Sequence, residues 1–117
     1  MKPRDRATVA LVTGAGRGIG AAIARALSEL EYGVIVTDAV ERRAEAVASS
    51  LKAESAGLDV TDERQWKAVV AATERRHGGI DVLVNNAGVG FAAALDRTSR
   101  EKWDGVLATN LTGPFLG

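Results

Sequence analysis

An uninterrupted apolar run, Ala7-Thr8-Val9-Ala10-Leu11-Val12, leads directly into Thr13-Gly14-Ala15-Gly16-Arg17-Gly18-Ile19-Gly20. The run reads as a strand buried on both faces. The glycines behind it form a tight turn, and apolar residues at helical spacing begin inside that turn. A strand delivered through glycines into a helix brings bare backbone N–H groups to the positive end of the helix dipole. That combination suits a pyrophosphate.

The remainder of the chain repeats the unit. Ile19, Ala22, Ile23, Ala26, Leu27 and Leu30 form one apolar face of a first helix, which Gly33 should stop. Val34 to Thr37 is a second strand ending at Asp38. A second helix turns Ala44, Val47, Ala48 and Leu51 inward and Glu41, Arg42, Arg43 and Glu45 outward. Glu54 to Leu58 is a weak third strand ended by Asp59. Thr61 caps a third helix with Trp66, Val69, Val70 and Thr73 inside, stopped by Gly78-Gly79. Ile80 to Asn85 is the fourth strand. Thr98 and Glu101 fit a capping box for a fourth helix whose inward positions are Trp103, Val106, Leu107, Asn110 and Leu111.

Alternating strands and helices with short connections imply a parallel sheet with helices on both faces, a three-layer doubly wound Rossmann fold of strand order 3-2-1-4. The 117 residues make one domain, 1–117. Fifteen basic and fifteen acidic residues cancel, so no nucleic-acid footprint is present. Cysteine is absent, which excludes disulfides and thiolate metal sites and fits a reducing compartment. The charged start from Met1 to Arg6 precedes an apolar run too short for a signal peptide, and no stretch is long enough to cross a bilayer. The expected location is cytoplasmic, without membrane partners.

In such a sheet the ligand edge carries Thr13-Gly14, Asp38, Asp59 and Asn85-Asn86. A strict GxGxxG fails because position 19 is Ile19, and no Lys-Ser or Lys-Thr completes a Walker loop. Gly14, Gly18 and Gly20 instead fit Gly-x-x-x-Gly-x-Gly. Gly14 permits the turn, Gly18 admits the pyrophosphate, and Gly20 lets the helix pack on the sheet. Asp38, 24 residues after Gly14, stands where a carboxylate accepts ribose hydroxyls and repels a 2′-phosphate. NAD is therefore expected over NADP. Arg17 either reaches a 2′-phosphate, touches the pyrophosphate or is simply exposed.

Asp59 with Val60 could hold an adenine amino group, or Asp59 could be a turn residue before Thr61. Asn85 and Asn86 end a buried strand and need partners, while Ala87 and Gly88 leave room for a ring or sugar. Asn110 falls on the face expected to be buried, four residues before Pro114. Either a kink there frees its carbonyl and amide toward the cleft, or the helix ends and Pro114 starts another. His77, the single histidine, reads as a surface residue at a helix C-terminus. Trp66 and Trp103 read as core, and no metal site is expected.

Taken together, the glycine loop, the Asp38 position, Asp59-Val60, Asn85-Asn86-Ala87-Gly88 and Asn110 resemble the short-chain dehydrogenases/reductases along the whole chain. The resemblance implies a nicotinamide cofactor on Gly14, Arg17, Gly18, Ile19 and Gly20, adenine near Asp59 and Val60, and Asn86, Ala87 and Gly88 lining it. It also implies that Asn110 belongs to a catalytic tetrad, its main chain anchoring a water in the proton relay, and that the complete enzyme acts on a small-molecule alcohol or carbonyl. The chain departs from the family in one respect. The expected serine and Tyr-x-x-x-Lys lie downstream of Gly117, the sole tyrosine, Tyr32, has Val36 where the lysine would be, and Lys2, Lys52, Lys67 and Lys102 are not placed to serve. The expectation is a cofactor-binding half, inactive alone, that self-associates through an exposed fourth strand and C-terminal helix. A non-catalytic dinucleotide-binding or interaction module and a methyltransferase-like nucleoside-binding domain are the alternatives.

Overall fold

The computed structural model describes residues 6–117, so the first five residues, Lys2 among them, lie outside the described residues. The elements run β1 (Val9–Val12), α1 (Gly18–Glu29), β2 (Gly33–Asp38), α2 (Glu41–Leu51), β3 (Glu54–Gly57), α3 (Glu63–His77) and β4 (Val82–Val84). A 3-10 turn (Leu95–Arg97), α4 (Arg100–Leu107), a π-helical turn (Ala108–Thr112) and α5 (Gly113–Leu116) complete them. The strands pair in parallel in the order β3-β2-β1-β4, the expected order. Register runs Val9 to Gly33, Ala10 to Val82 and Ile35 to Glu54.

The strand alternation builds two cores, one on each face. Val9, Leu11 and Ile35 meet Leu58, Val60, Trp66 and Val69, with Leu116 of α5 against them. Val12, Val34 and Val36 meet Ala24 of α1 and Ala44 and Ala48 of α2. All four residues of β1 are buried, as a strand covered on both faces requires. Arg6 makes a bidentate pair with Asp81, whose carboxylate also accepts from Val9 N at 2.8 Å. Asp81 is thus turned inward and does not guard the sheet edge. No helix among the described residues is long and apolar enough to cross a membrane.

Several local expectations give way to packing. The buried stripe of α1 is Gly20 and Ala24, flanked by Ile23 and Leu27, while Ile19, Ala22, Ala26 and Leu30 face out. Two apolar stripes exist on this helix, and the smaller side chains win the sheet because they allow closer approach. The helix stops at Leu30, before Gly33. Glu31 takes the left-handed conformation (φ 66°), with Glu31 N–H donating to Ser28 O and Tyr32 N–H to Leu27 O.

The caps also shift by one residue. Thr61 is held by Asp59 Oδ1, which accepts from both its N–H and its hydroxyl, so Asp62 caps α3 through Arg64 N and Gln65 N. Thr98 donates to Ala94 O in the preceding turn, leaving Ser99 to cap α4 through Lys102 N. No residue of α4 or of the π-helical turn is buried: Trp103 is 52% exposed and Leu111 65%, so the expected inner face is not packed into the core. His77 is not a free surface residue either, because its Nε2 stands 3.0 Å from Glu54 Oε2.

Candidate functional site

The site forms where the C-terminal ends of the strands meet the glycine turn. Gly14 and Gly18 both adopt positive φ, 58° and 57°, which only glycine takes without strain. An added Cβ at Gly18 would meet nothing within 4 Å, so the chain there is open for close approach. No side chain caps α1 and no acid lies in its first turn. Its first N–H groups are therefore available to an anion. At Gly20 a Cβ would lie 2.4 Å from both Asn86 Nδ2 and Gly14 O, so this glycine is required by packing.

Asn86 ties the turn to β4. Its Nδ2 donates to Thr13 O at 3.1 Å and Gly14 O at 3.0 Å, and Thr13 Oγ1 accepts from Asn86 N and Ala87 N. Asn85, its neighbour, is exposed. The buried Thr13, expected at the ligand edge, is therefore a hub of the site, a bonding role that sequence patterning did not assign. Its signal was a hydroxyl at the strand end directly before the glycine. Asp38, 7% exposed, accepts from Gly16 N at 3.0 Å through Oδ2 and from Val40 N at 2.9 Å through Oδ1. A Cβ on Gly16 would fall 2.7 Å from that Oδ2, so the glycine outside the expected spacing is needed for this clasp.

These pieces enclose a cleft of about 460 Å³. Gly14, Arg17, Gly18, Ile19, Asp38, Asp59, Val60, Asn86, Ala87 and Gly88 all line it. Gly20 stands behind the wall, against Asn86. Arg43 lines the cleft and is half-buried, contrary to the outward position expected of it. The third residue of α2 lies over the end of β2, which the helical wheel alone does not reveal. Asp59 is both turn residue and cleft residue, holding Thr61 while lining the opening.

Asn110 is exposed, not buried. The helix widens into the π-helical turn, with Gly113 N–H donating to Ala108 O, and Pro114 sits in the first turn of α5. Gly113 packs on Val60, where a Cβ would be 2.7 Å from Val60 Cγ2. Asn110 Oδ1 accepts from Val89 N and its Nδ2 donates to Val89 O, both at 2.8 Å. It thus holds the segment that carries Gly88 and Val89 along the cleft. Tyr32 packs against the α1–α2 core and does not line the cleft. Among the described residues no group of His, Cys, Asp or Glu could hold a metal.

Comparison with known proteins gives a consistent result. The family model described as short chain dehydrogenase matches residues 8–117. Trans-4-hydroxycyclohexanecarboxylate dehydrogenase of Sinomonas cyclohexanicum is 38% identical over 120 residues, covering 93% of this chain and 46% of that enzyme. A metagenomic short-chain oxidoreductase, solved in complex with NADP, is 41% identical with a TM-score of 0.87, covering 93% of this chain and 52% of that one. The 3-ketoacyl-(acyl-carrier-protein) reductase of Brucella melitensis, solved with NADH, is 32% identical with a TM-score of 0.90, covering 95% of this chain and 47% of that one. The chain spans about half the length of the curated relatives it matches.

Proposed function

The chain belongs to the short-chain dehydrogenase family, and from that premise we propose that it is the cofactor-binding part of an NAD(H)-dependent oxidoreductase acting on an alcohol or carbonyl. The observation that carries the reading is one cleft with uncapped α1 N–H groups and an open Gly18 on one side and the buried Asp38 carboxylate on the other. This donor and acceptor set fits a dinucleotide. The glycine turn would hold the pyrophosphate and Asp38 the ribose hydroxyls. Asp59 and Val60 would flank the adenine. Asn86, Ala87 and Gly88 would line the path toward the nicotinamide, and Asn110 would orient a proton relay through its main chain. Bound there, the cofactor supplies a hydride donor or acceptor.

The carboxylate supports NAD over NADP. Each oxygen of Asp38 already accepts one backbone N–H and keeps a lone pair for a ribose hydroxyl, whereas a 2′-phosphate would meet its charge. Relatives bind either dinucleotide, so the preference rests on this residue. Losing a charged hydrogen bond costs about 1.5–3 kcal/mol, so Asp38→Ala should weaken NADH roughly tenfold or more. Fluorescence titration with both reduced cofactors is the test. Equal or tighter NADPH binding by the unmutated chain would overturn the NAD preference.

Proton transfer needs a group within reach of the reacting oxygen. Tyr32 is packed away from the cleft. By itself the chain is expected to bind cofactor without turning over alcohols or carbonyls. Robust NADH oxidation across a carbonyl panel would refute this. The absence of cysteine supports a reducing, cytoplasmic location.

A further inference from the structure

A cavity of about 290 Å³ lies between the segment leaving β4 and α4, and it shares no lining residue with the cleft at the glycine turn. Phe91, Ala93 and Leu95 form one wall, and Trp103, Val106 and Leu107 form the other. The loop wall is held by its own bonds. Ala94 O accepts from Arg97 N–H at 2.9 Å and from the Thr98 hydroxyl at 3.1 Å, and Ser99 Oγ accepts from Lys102 N–H. Thr98 also lines the cavity, but its proton is spent on Ala94. One charge borders this apolar enclosure. Lys102 lines it, with Nζ 5.6 Å from the centroid of the Phe91 ring. Among the described residues no carboxylate pairs with that ammonium.

We propose that this cavity binds a small hydrophobic monocarboxylate, with its carboxylate on Lys102 and its hydrocarbon between the two apolar walls. The Phe91 ring attracts the ammonium but accepts no conventional hydrogen bond from its three N–H donors. A carboxylate at the mouth supplies both the charge and the acceptors. The walls offer a ligand no other free donor, so its body must be apolar. A cavity at the lower end of the small-molecule range suits a short chain or a single ring. A neutral alcohol of the same length gains the burial without the ion pair, and an amine meets a like charge. The site stands without the dinucleotide reading, because none of its residues contributes to that cleft.

The test is calorimetric titration of octanoate, 1-octanol and octylamine, each below its aggregation or saturation limit. Light scattering and tryptophan emission are recorded alongside, and circular dichroism confirms folding. Octanoate should bind about fivefold or more tightly than 1-octanol, with octylamine weaker still, and should shift the emission through Trp103. Lys102→Met keeps the stem and removes the charge. It should lower octanoate to the level of 1-octanol and leave 1-octanol within about twofold. Ala93→Phe places a ring in the cavity from an exposed position, so it should weaken octanoate and 1-octanol alike, by about fivefold or more. Octanoate and 1-octanol binding equally, octanoate indifferent to Lys102→Met, or binding that survives Ala93→Phe each overturns the proposal. So does the lack of any octanoate binding, or binding confined to an associated form of the chain.

Discussion

Asn110 holds the backbone of Val89 at two points, accepting from its N–H through Oδ1 and donating to its carbonyl through Nδ2, each at 2.8 Å. A side chain on a π-helical turn thereby acts as a strand partner for the segment leaving β4. The pairing spans 21 residues of sequence and joins the α4–α5 arm to the rim of the cleft.

Asn110→Ala removes both bonds, and each is worth about 0.5–1.5 kcal/mol, toward the low end at an exposed position. The fold should survive with a loosened rim. Amide exchange at Val89 should accelerate at least several-fold while exchange in β1 is unchanged. Asn110→Asp keeps the acceptor and sets a carboxylate oxygen against Val89 O, so it should loosen the rim as much as alanine does. Unaltered exchange at Val89 in both variants would contradict the assignment.

Gly18 and Gly20 should respond differently to alanine. At Gly20 the new Cβ meets Asn86 Nδ2 and Gly14 O at 2.4 Å, so the amide bridge to Thr13 and Gly14 must move. Overpacking of this kind costs about 1–3 kcal/mol. Gly18 has open space, and alanine there meets only the left-handed backbone, at about 1–2 kcal/mol. Thermal melts should rank Gly20→Ala as the less stable. NADH titration should show that Gly18→Ala loses affinity beyond its effect on stability.

Glu54 gives the fold an acid-sensitive contact between β3 and the end of α3. The His77 hydrogen bond, helped by the charges of His77 and Arg76, holds its carboxyl below the usual 4.5, against the opposing effect of burial. A carboxylate with a lowered folded pKa contributes stability above its unfolded value, and that contribution disappears as pH falls through the folded one. Glu54→Gln should therefore melt lower than the unmutated chain at neutral pH. The gap should close below about pH 4.5, and it should be small because the pair is partly exposed. A gap that persists unchanged into acid would contradict this.

Self-association is expected through two surfaces. β4 is an edge strand, and Asp81, turned toward Arg6 and Val9, offers it no protecting charge. Trp103, Leu107, Leu111 and Phe115 recur every fourth residue along the α4–α5 arm, all exposed. Light scattering should show a mass that grows with concentration. Val82→Lys should reduce it if the edge dominates, and Leu107→Glu with Leu111→Glu if the arm does. A monomer at every concentration would refute both routes.

The order of elements and the sheet topology were legible in the sequence, as was the meeting of Gly14, Gly18, Asp38, Asp59 and Asn86 at one edge of the sheet. Strand burial and glycine turns are encoded locally: β1 must be apolar throughout because it is covered on both faces, and Gly14 and Gly18 must be glycine because their φ is positive. Which of two apolar stripes on α1 would face the sheet was not legible. Helical periodicity marks both, and close packing against β1 and β2 selects Gly20 and Ala24. The same holds for Gly16, Thr13 and Arg43, whose roles depend on the distance between β2, the glycine turn and α2 after folding. A one-residue shift in a cap, as from Thr61 to Asp62, depends on which neighbour takes the hydroxyl first. The sequence by itself determined which groups reach the sheet edge, because backbone conformation is a local property. The tertiary structure alone decided which groups touch, because contact depends on packing between segments far apart in the chain.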